Sequence, residues 1–590
     1  MTSTVTAPAS PVARPGTTAE AAGAAVTPGR PAVLSVRDLV VSYRTRSTTR
    51  KVVHGVSLDV GPGEVVAVVG ESGSGKTTTA QAVIGLLAGN GRVESGTVAI
   101  NGTDVSGWSS RRLESVRGRR VGLVPQDPNN SLNPVKTIGD NLAEVLRIHR
   151  YGSAAAIRAR VLELLERVGI PEPEVRTRQY PHELSGGMKQ RVLIAGAIAL
   201  EPDLIIADEP TSALDVTVQQ TVLDLLADLQ RELGTAILLI THDLAVAADR
   251  ADRIVVLKDG RVVEQGPTAQ LVSDPQAGYT RSLLADAPAF RTPPAQARAA
   301  TAALVTAARE EERAVVVSGL VQEFARDRRA GVFRAVDDVS FAVVRGTTHA
   351  LVGESGSGKT TTARAVVGLG RPTAGSVVVE GAEVTGLRGE ALRRFRRGTQ
   401  LVYQNPFSSL DPRQSVAEIV GEPLRNLPRG ERPGRAARAA RAAETVERVA
   451  LPADLLRRRP AELSGGQRQR VAIARALVLA PRVLVLDEAV SALDVSVQAQ
   501  ILDLLGELQT DLGLTYLFIS HDLAVVRQIS DTVSVMRAGK VVEQGRTERV
   551  FARPEHEYTA ALLAAIPGRG AHHTRAGAHH TTTSEQERDR

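Results

Sequence analysis

Two stretches of this 590-residue sequence have the residue types needed to hold a phosphate chain. VGESGSGKTTTA at Val69–Ala80 returns letter for letter at Val352–Ala363, and each copy satisfies G-x-x-x-x-G-K-[ST]. In the first copy Gly70, Glu71, Ser72, Gly73, Ser74 and Gly75 form the loop and Lys76, Thr77 and Thr78 follow. In the second, Gly353, Glu354, Ser355, Gly356, Ser357 and Gly358 precede Lys359, Thr360 and Thr361. The glycines let backbone N–H groups converge on phosphate. Lys76 and Lys359 then reach the β- and γ-phosphates, and Thr77 and Thr360 offer a hydroxyl to Mg2+. A plain Gly-rich turn before a helix does not require Lys-Thr in both copies. Further on, DLIIADE and RVLVLDE end in the acidic pairs Asp208-Glu209 and Asp487-Glu488. The aspartates suit a Mg2+ shell, and the glutamates suit general bases that polarise an attacking water. One such pair is commonly a solvated turn; its recurrence after both loops argues for chemistry. A second anion cradle is ELSGG, where Ser185 with Gly186 and Gly187, and Ser464 with Gly465 and Gly466, open a helical run. A serine N-cap and bare glycine backbone there make an anion site.

The elements that must carry these groups follow from the flanking patterns. VVAVV at 65–69 and HALV at 349–352 read as buried strands, and TTTAQAVIGLL and TTTARAVVGL read as helices. The apolar runs before the acidic pairs read as central parallel strands covered on both faces. Their C-terminal ends are where α/β folds place ligands.

Composition excludes several classes. Apolar residues make up 43% of the chain, which rules out global disorder. No run of ~20 apolar residues is free of charges or breakers, so no membrane-spanning helix is expected. The absence of cysteine excludes disulfides, thiolate zinc sites and cysteine-ligated clusters, and fits a cytoplasmic location. The net charge of +7 raises nucleic acid or an anionic membrane as partners, but arginine on solvated helix faces accounts for it as well. The start of the chain lacks the basic-then-apolar pattern of a secretory signal.

An internal repeat organises the rest. ELSGG, SALDV, HDLAV and VVEQG each occur twice at one common spacing, whereas the Gly-rich loops lie slightly farther apart. The first copy therefore carries a short insertion after its loop, around Gly89–Val93. The expected organisation is a disordered leader over 1–32, a first domain over 33–284, an Ala/Pro-rich linker over 285–313, a second domain over 314–567 and a disordered tail over 568–590. The tail holds two His-His pairs, which could bind a metal only weakly.

LSGG, some way before a strand ending in Asp-Glu, resembles the signature of ATP-binding cassette (ABC) ATPases, and the resemblance covers both copies nearly end to end. It implies an α/β fold of tandem P-loop NTPase domains, each with a RecA-like core and a helical signature subdomain, with ATP and Mg2+ as cofactors. On the same resemblance Gln126 and Gln404 match the Q-loop that contacts Mg2+. SALD at 212–215 and 491–494 matches the D-loop, and His242 and His521 match the switch histidine. Tyr43 matches the aromatic that stacks on adenine, with Phe324 as its candidate counterpart. The resemblance implies crossed, head-to-tail sites. One uses Lys76, Gln126, Asp208, Glu209 and His242 with Ser464, Gly465 and Gly466. The other uses Lys359, Gln404, Asp487, Glu488 and His521 with Ser185, Gly186 and Gly187. Both sites keep a glutamate and a histidine, so both are expected to hydrolyse ATP.

QDPNNSLNP, QNPFSSLDP and the stretches DPQAGYTRSLLADAP and RPEHEYTAALLAAIP are similar to those of dipeptide, oligopeptide and nickel importers. The chain resembles two such ATPase subunits fused. That implies a peripheral protein at the cytoplasmic face of the membrane, working with two permease subunits and an extracytoplasmic solute-binding protein, with no nucleic acid. Met188 in place of the usual signature Gln, Gly196 opposite Arg475, and Ala489-Val490 opposite Pro210-Thr211 imply unequal but active sites. A twin-cassette ATPase acting on the ribosome is the competing reading; it calls for a long charged linker, which this chain lacks. A DNA-repair ATPase calls for zinc cysteines or a coiled-coil insertion, also absent. Nickel or another small solute remains the alternative cargo.

Overall fold

A computed structural model describes residues 31–45, 48–212, 214–291, 312–325, 331–491 and 493–568. Nearly all of the expected leader, the linker over 292–311 and the tail with its His pairs lie outside these residues.

Each half builds one antiparallel and one mostly parallel sheet. In the first, β1 (Leu34–Arg44), β2 (Thr49–Val60), β4 (Gly91–Ile100) and β5 (Thr103–Asp104) form the sheet β2-β1-β4-β5. The strands β3 (Val65–Val69), β6 (Val121–Val124), β7 (Leu204–Asp208), β8 (Ala236–Thr241), β9 (Arg253–Lys258) and β10 (Arg261–Pro267) form the order β10-β9-β3-β8-β7-β6. All neighbours in it are parallel except β10 with β9. The second half repeats this with β11 (Arg313–Ala325), β12 (Val332–Val344), β14 (Ala374–Val379) and β15 (Ala382–Glu383) in the order β12-β11-β14-β15. Its parallel sheet runs β16 (Thr399–Val402), β17 (Val483–Asp487), β18 (Thr515–Ser520), β13 (Thr348–Val352), β19 (Thr532–Arg537) and β20 (Lys540–Arg546).

The strand before each acidic pair is buried throughout. Successive side chains of a strand face opposite ways, and β7 divides accordingly. Ile205 and Ala207 join the core shared with the helices Ile138–Ile148, Ala154–Arg167 and Gly186–Ala197, while Leu204 and Ile206 join the core under the antiparallel sheet. In β17, Leu484 and Leu486 divide from Val483 and Val485 in the same manner. Two-sided burial is why these runs are continuously apolar, and each acidic pair stands at the C-terminal end of an inner strand. The insertion after the first P-loop lengthens β4 relative to β14, and Gly91 pairs with Tyr43.

The helix Gly278–Asp286 runs past Leu284, and Ala287 and Phe290 are buried in the first half's core. Beyond it the chain touches the other half. Arg291 forms a two-pronged bond to Asp503 at 2.6 and 2.9 Å, and Gln528 Nε2 donates to the Pro288 carbonyl at 3.1 Å. Reciprocally, the Gly568 N–H at the end of the second half donates to Asp249 at 2.5 Å.

Candidate active site

Each P-loop joins a buried strand to a helix, Lys76–Val83 or Lys359–Val366, as the pattern requires. The residue before the lysine, Gly75 or Gly358, is left-handed at φ 97 and 102, which a side chain would resist. Lys76 Nζ donates to the carbonyls of Gly70 and Glu71 at 2.7 and 3.0 Å, and Lys359 Nζ to those of Gly353 and Glu354 at 2.7 and 2.8 Å. Burial pulls both ammonium groups below the usual lysine range, against the pull of the nearby carboxylates.

The acidic pairs converge on these loops. The Thr77 hydroxyl donates to Asp208 Oδ1 at 3.0 Å, and Thr360 to Asp487 at 3.0 Å. Burial pushes the Asp208 carboxyl up to about 6 despite that bond, and raises Asp487 as well. One hydroxyl and one buried carboxylate fit Mg2+, which keeps water and phosphate oxygens as its other ligands. Among the described residues no cluster of three His, Cys, Asp or Glu forms an all-protein metal cage.

Glu209 accepts from Gln126 Nε2 at 2.7 Å and lies 3.3 Å from His242 Nδ1. Glu488 accepts from Gln404 Nε2 at 2.7 Å and lies 3.4 Å from His521 Nδ1. Burial opposes ionisation of both glutamates. The histidine, the lysine and the glutamine outweigh it and hold both below the ordinary carboxylate range. Burial likewise opposes the histidine charge, and the glutamate partner outweighs it, so both imidazoles are raised. Both glutamates sit in left-handed backbone, φ 46 and 48, which costs a non-glycine residue about 1 kcal/mol or more and clusters at functional sites.

The signature serines cap their own helices. Ser185 accepts from the Met188 N–H at 3.3 Å. Ser464 accepts from the Gln467 N–H at 3.3 Å, and the Gln467 side chain returns a bond to the Ser464 N–H at 3.0 Å. Met188 has no oxygen to complete that box, so the first signature helix is capped on one side only. The hydrogen bonds that cross between halves at the sites come from other residues. Ser72 donates to Asp494 Oδ1 at 2.6 Å, and Thr217 donates to Glu354 Oε1 at 2.8 Å. Asp494 closes a SALD stretch singled out in the sequence; Thr217 was missed, since a threonine early in a helix has no distinguishing pattern.

Tyr43 is half-buried, with its hydroxyl 3.5 Å from Thr78 Oγ1. Phe324 pairs with Phe333 where Tyr43 pairs with Arg50, so it holds the matching register, and it is 50% exposed. Beside Gln404 a groove of about 940 Å³ is lined by Tyr403, Ser409, Arg413, Glu422 and Arg475 among others. Arg475 reaches the Ser409 carbonyl there.

Two P-loop sites, each backed by a Thr–Asp pair and a Gln–Glu–His group on a parallel sheet, define a tandem P-loop ATPase. The ABC transporter family matches residues 53–212 and 336–491, and the oligopeptide/dipeptide transporter C-terminal region matches residues 542–589. The chain is 44% identical over 545 residues to the peptidoglycan transport ATP-binding protein YejF of Agrobacterium fabrum, across 90% of this chain and 96% of that protein. It is 42% identical over 607 residues to the oligopeptide transport ATP-binding protein OppD of Mycobacterium tuberculosis, across 91% and 98%. It is also 42% identical over 562 residues to the glutathione import ATP-binding protein GsiA of Salmonella typhimurium, across 91% and 89%. The chain belongs to the ABC transporter family, and its reaction is the hydrolysis of ATP.

Proposed function

We propose that this chain is the energy-coupling ATPase of an importer for di- or oligopeptides, working with two separate permeases and a solute-binding protein on the far side of the membrane. The observation that carries this is the C-terminal match at residues 542–589, joined to relatives named for oligopeptide, peptidoglycan and glutathione transport. No helix among the described residues is long and apolar enough to cross a membrane, which fits a peripheral subunit at the cytoplasmic face. The groove beside Gln404 supports a docking surface for a permease segment, because movement of Gln404 would be felt directly by Glu488. The relative named for glutathione import makes a glutathione-like cargo the second reading.

The two cassettes are assigned to residues 33–284 and 314–567, with the first continued by Ala287 and Phe290, which pack into its core. In the mechanism, the P-loop N–H groups and Lys76 or Lys359 bind the β- and γ-phosphates of ATP. Thr77 with Asp208, and Thr360 with Asp487, would hold Mg2+, with Gln126 and Gln404 beside them. Bound there, the ion neutralises charge developing on the phosphates. Glu209 and Glu488, kept ionised, orient and deprotonate the attacking water. His242 and His521 hold those glutamates in place. ATP would be closed in by the opposite signature turn, Ser464 to Gly466 at the first site and Ser185 to Gly187 at the second. The contacts of Asp494 and Thr217 support that crossed arrangement.

The test is capture of the native chain from gently solubilised cells with mass spectrometry of what comes with it. Two multi-span permeases and a solute-binding protein are expected, and the ligand of that binding protein names the cargo. Ribosomal proteins without membrane subunits would overturn the transport reading while leaving the ATP chemistry intact.

A further inference from the structure

Behind each P-loop stands a tyrosine that none of the ATPase motifs includes. The Tyr279 hydroxyl, on the helix Gly278–Asp286, accepts the Glu71 N–H at 3.3 Å. The Tyr558 hydroxyl, on the helix Glu557–Ala564, accepts the Glu354 N–H at 3.1 Å. The N–H of Glu71 and the carbonyl of Gly70 are the two ends of one peptide plane, and Lys76 Nζ holds that carbonyl at 2.7 Å. In the second half Tyr558 and Lys359 hold the Gly353–Glu354 plane in the same way, the lysine at 2.7 Å. Each plane is thus pinned at both ends, and polarisation of the peptide by one bond strengthens the other.

The tyrosines are themselves fixed. On β10 Glu264 accepts the N–H groups of Gln276 and Ala277 at 2.8 and 3.1 Å, which seats the start of the Tyr279 helix. On β20 Glu543 does the same for Glu555 and His556 at 2.9 and 3.1 Å. A cation lies over each ring, Lys258 at 4.5 Å from the Tyr279 centroid and Arg537 at 4.8 Å from that of Tyr558. Burial pushes both hydroxyls up to about 12, so they stay neutral wherever the protein works. The surrounding sequences, AGYTRSLL and HEYTAALL, share little beyond Tyr-Thr and two leucines, yet the geometry is the same.

We propose that Tyr279 and Tyr558 are positioning residues for the nucleotide-binding lysines: each hydroxyl pins the peptide plane whose carbonyl holds the ammonium. The P-loop is then presented with Lys76 or Lys359 in register for incoming phosphate. The proposal rests on the two loops being the ATP sites. Loss of the hydroxyl frees the plane to rotate and the lysine to wander, which weakens capture of ATP. The chemical step is spared, because the Gln–Glu–His group is untouched.

The experiment uses the full chain with Tyr279→Phe, Tyr558→Phe, the double Phe variant, and Tyr→Leu at each position. Binding of trinitrophenyl-ATP, KM and kcat for ATP, and amide exchange of the loops are measured. One lost hydrogen bond predicts a three- to ten-fold weakening, roughly, at the altered site, with kcat held within about two-fold. Exchange should quicken at residues 70–75 in Tyr279→Phe and at 353–358 in Tyr558→Phe, with β3 and β13 unchanged. The Leu variants, which also lose the ring, should in addition lower Tm. Unchanged affinity and loop exchange in both Phe variants would overturn the proposal. So would a Phe variant that lowers Tm and quickens exchange across the whole cassette, since the ring would then serve packing alone. A wild-type chain that fails to bind the probe would instead sink the nucleotide reading on which all of this depends.

Discussion

Glu209 and Glu488 are held in strained backbone, each bonded to a glutamine and beside a histidine, and kept ionised by their neighbours. Glu209→Gln and Glu488→Gln leave the phosphate cradle whole and remove the carboxylate proposed as the base. Each is expected to lower turnover at its site by about 10²-fold or more while ATP still binds. Steady-state ATPase activity alongside retained radiolabelled ATP checks this, and a variant with full activity would show that its glutamate is not the base. His349 offers a residue-scale prediction unrelated to catalysis. It is buried between the hydroxyls of Thr532 and Ser534 at 2.8 and 3.0 Å, its ring stacked on Phe341, and burial holds it neutral, down to about 3. Between that value and the ordinary 6.5 the unfolded chain takes up a proton that the folded chain does not. The stability that His349 contributes is therefore full above about 6.5 and falls by ~1.4 kcal/mol for each pH unit from there down toward about 3. His349→Val, which places there the residue type of Val66 in the first half, is expected to flatten the fall. Tm measured from about pH 4 to 7 for both proteins decides it, and an unaltered slope would assign the effect to other groups.

At the scale of elements, the signature helices show why the second glycine of each LSGG is required. A Cβ on Gly187 would stand 2.3 Å from Val218 Cγ1, and one on Gly466 would stand 2.4 Å from Val497 Cγ1. Here glycine serves close approach between the signature helix and the helix that follows SALD, Val216–Leu233 or Val495–Leu512. Gly466→Ala is expected to destabilise the second cassette by about 1–3 kcal/mol through overpacking, measurable by denaturant unfolding. A change within error would mean that the two helices part without cost. The asymmetric caps act at the same scale. Met188→Gln supplies the side-chain oxygen that Gln467 already uses, and it should raise the thermal midpoint of the first cassette slightly.

Across the whole molecule the halves exchange parts. Asp494 touches the first P-loop at Ser72, Thr217 touches the second at Glu354, and Val495 of the second half lies in the first half's core. Asp494→Ala is therefore expected to act on the site of the other cassette. Photolabelling with azido-ATP should fall about three-fold at the first cassette and stay level at the second, roughly the loss of one hydrogen bond. Labelling that fell at the second cassette alone would contradict a crossed contact. The exposed Arg291–Asp503 pair contributes under about 1 kcal/mol to the contact between the halves.

Much of this was legible in the residues because it is local. The P-loops, the buried strands ahead of Asp208 and Asp487, the serine caps and the duplication are written in patterns a few residues long, and short-range sterics, periodicity and hydrogen bonding make those patterns sufficient. Family resemblance supplied Gln126, Gln404, His242 and His521, which carry no local signature. Other features required the folded chain. The Tyr279 and Tyr558 hydroxyls behind the P-loops and the reach of Asp494 and Thr217 join residues from distant parts of the sequence. Such contacts depend on strand register and on how two cores meet, and neither is encoded in any single stretch, because burial and packing act only once the chain has closed on itself.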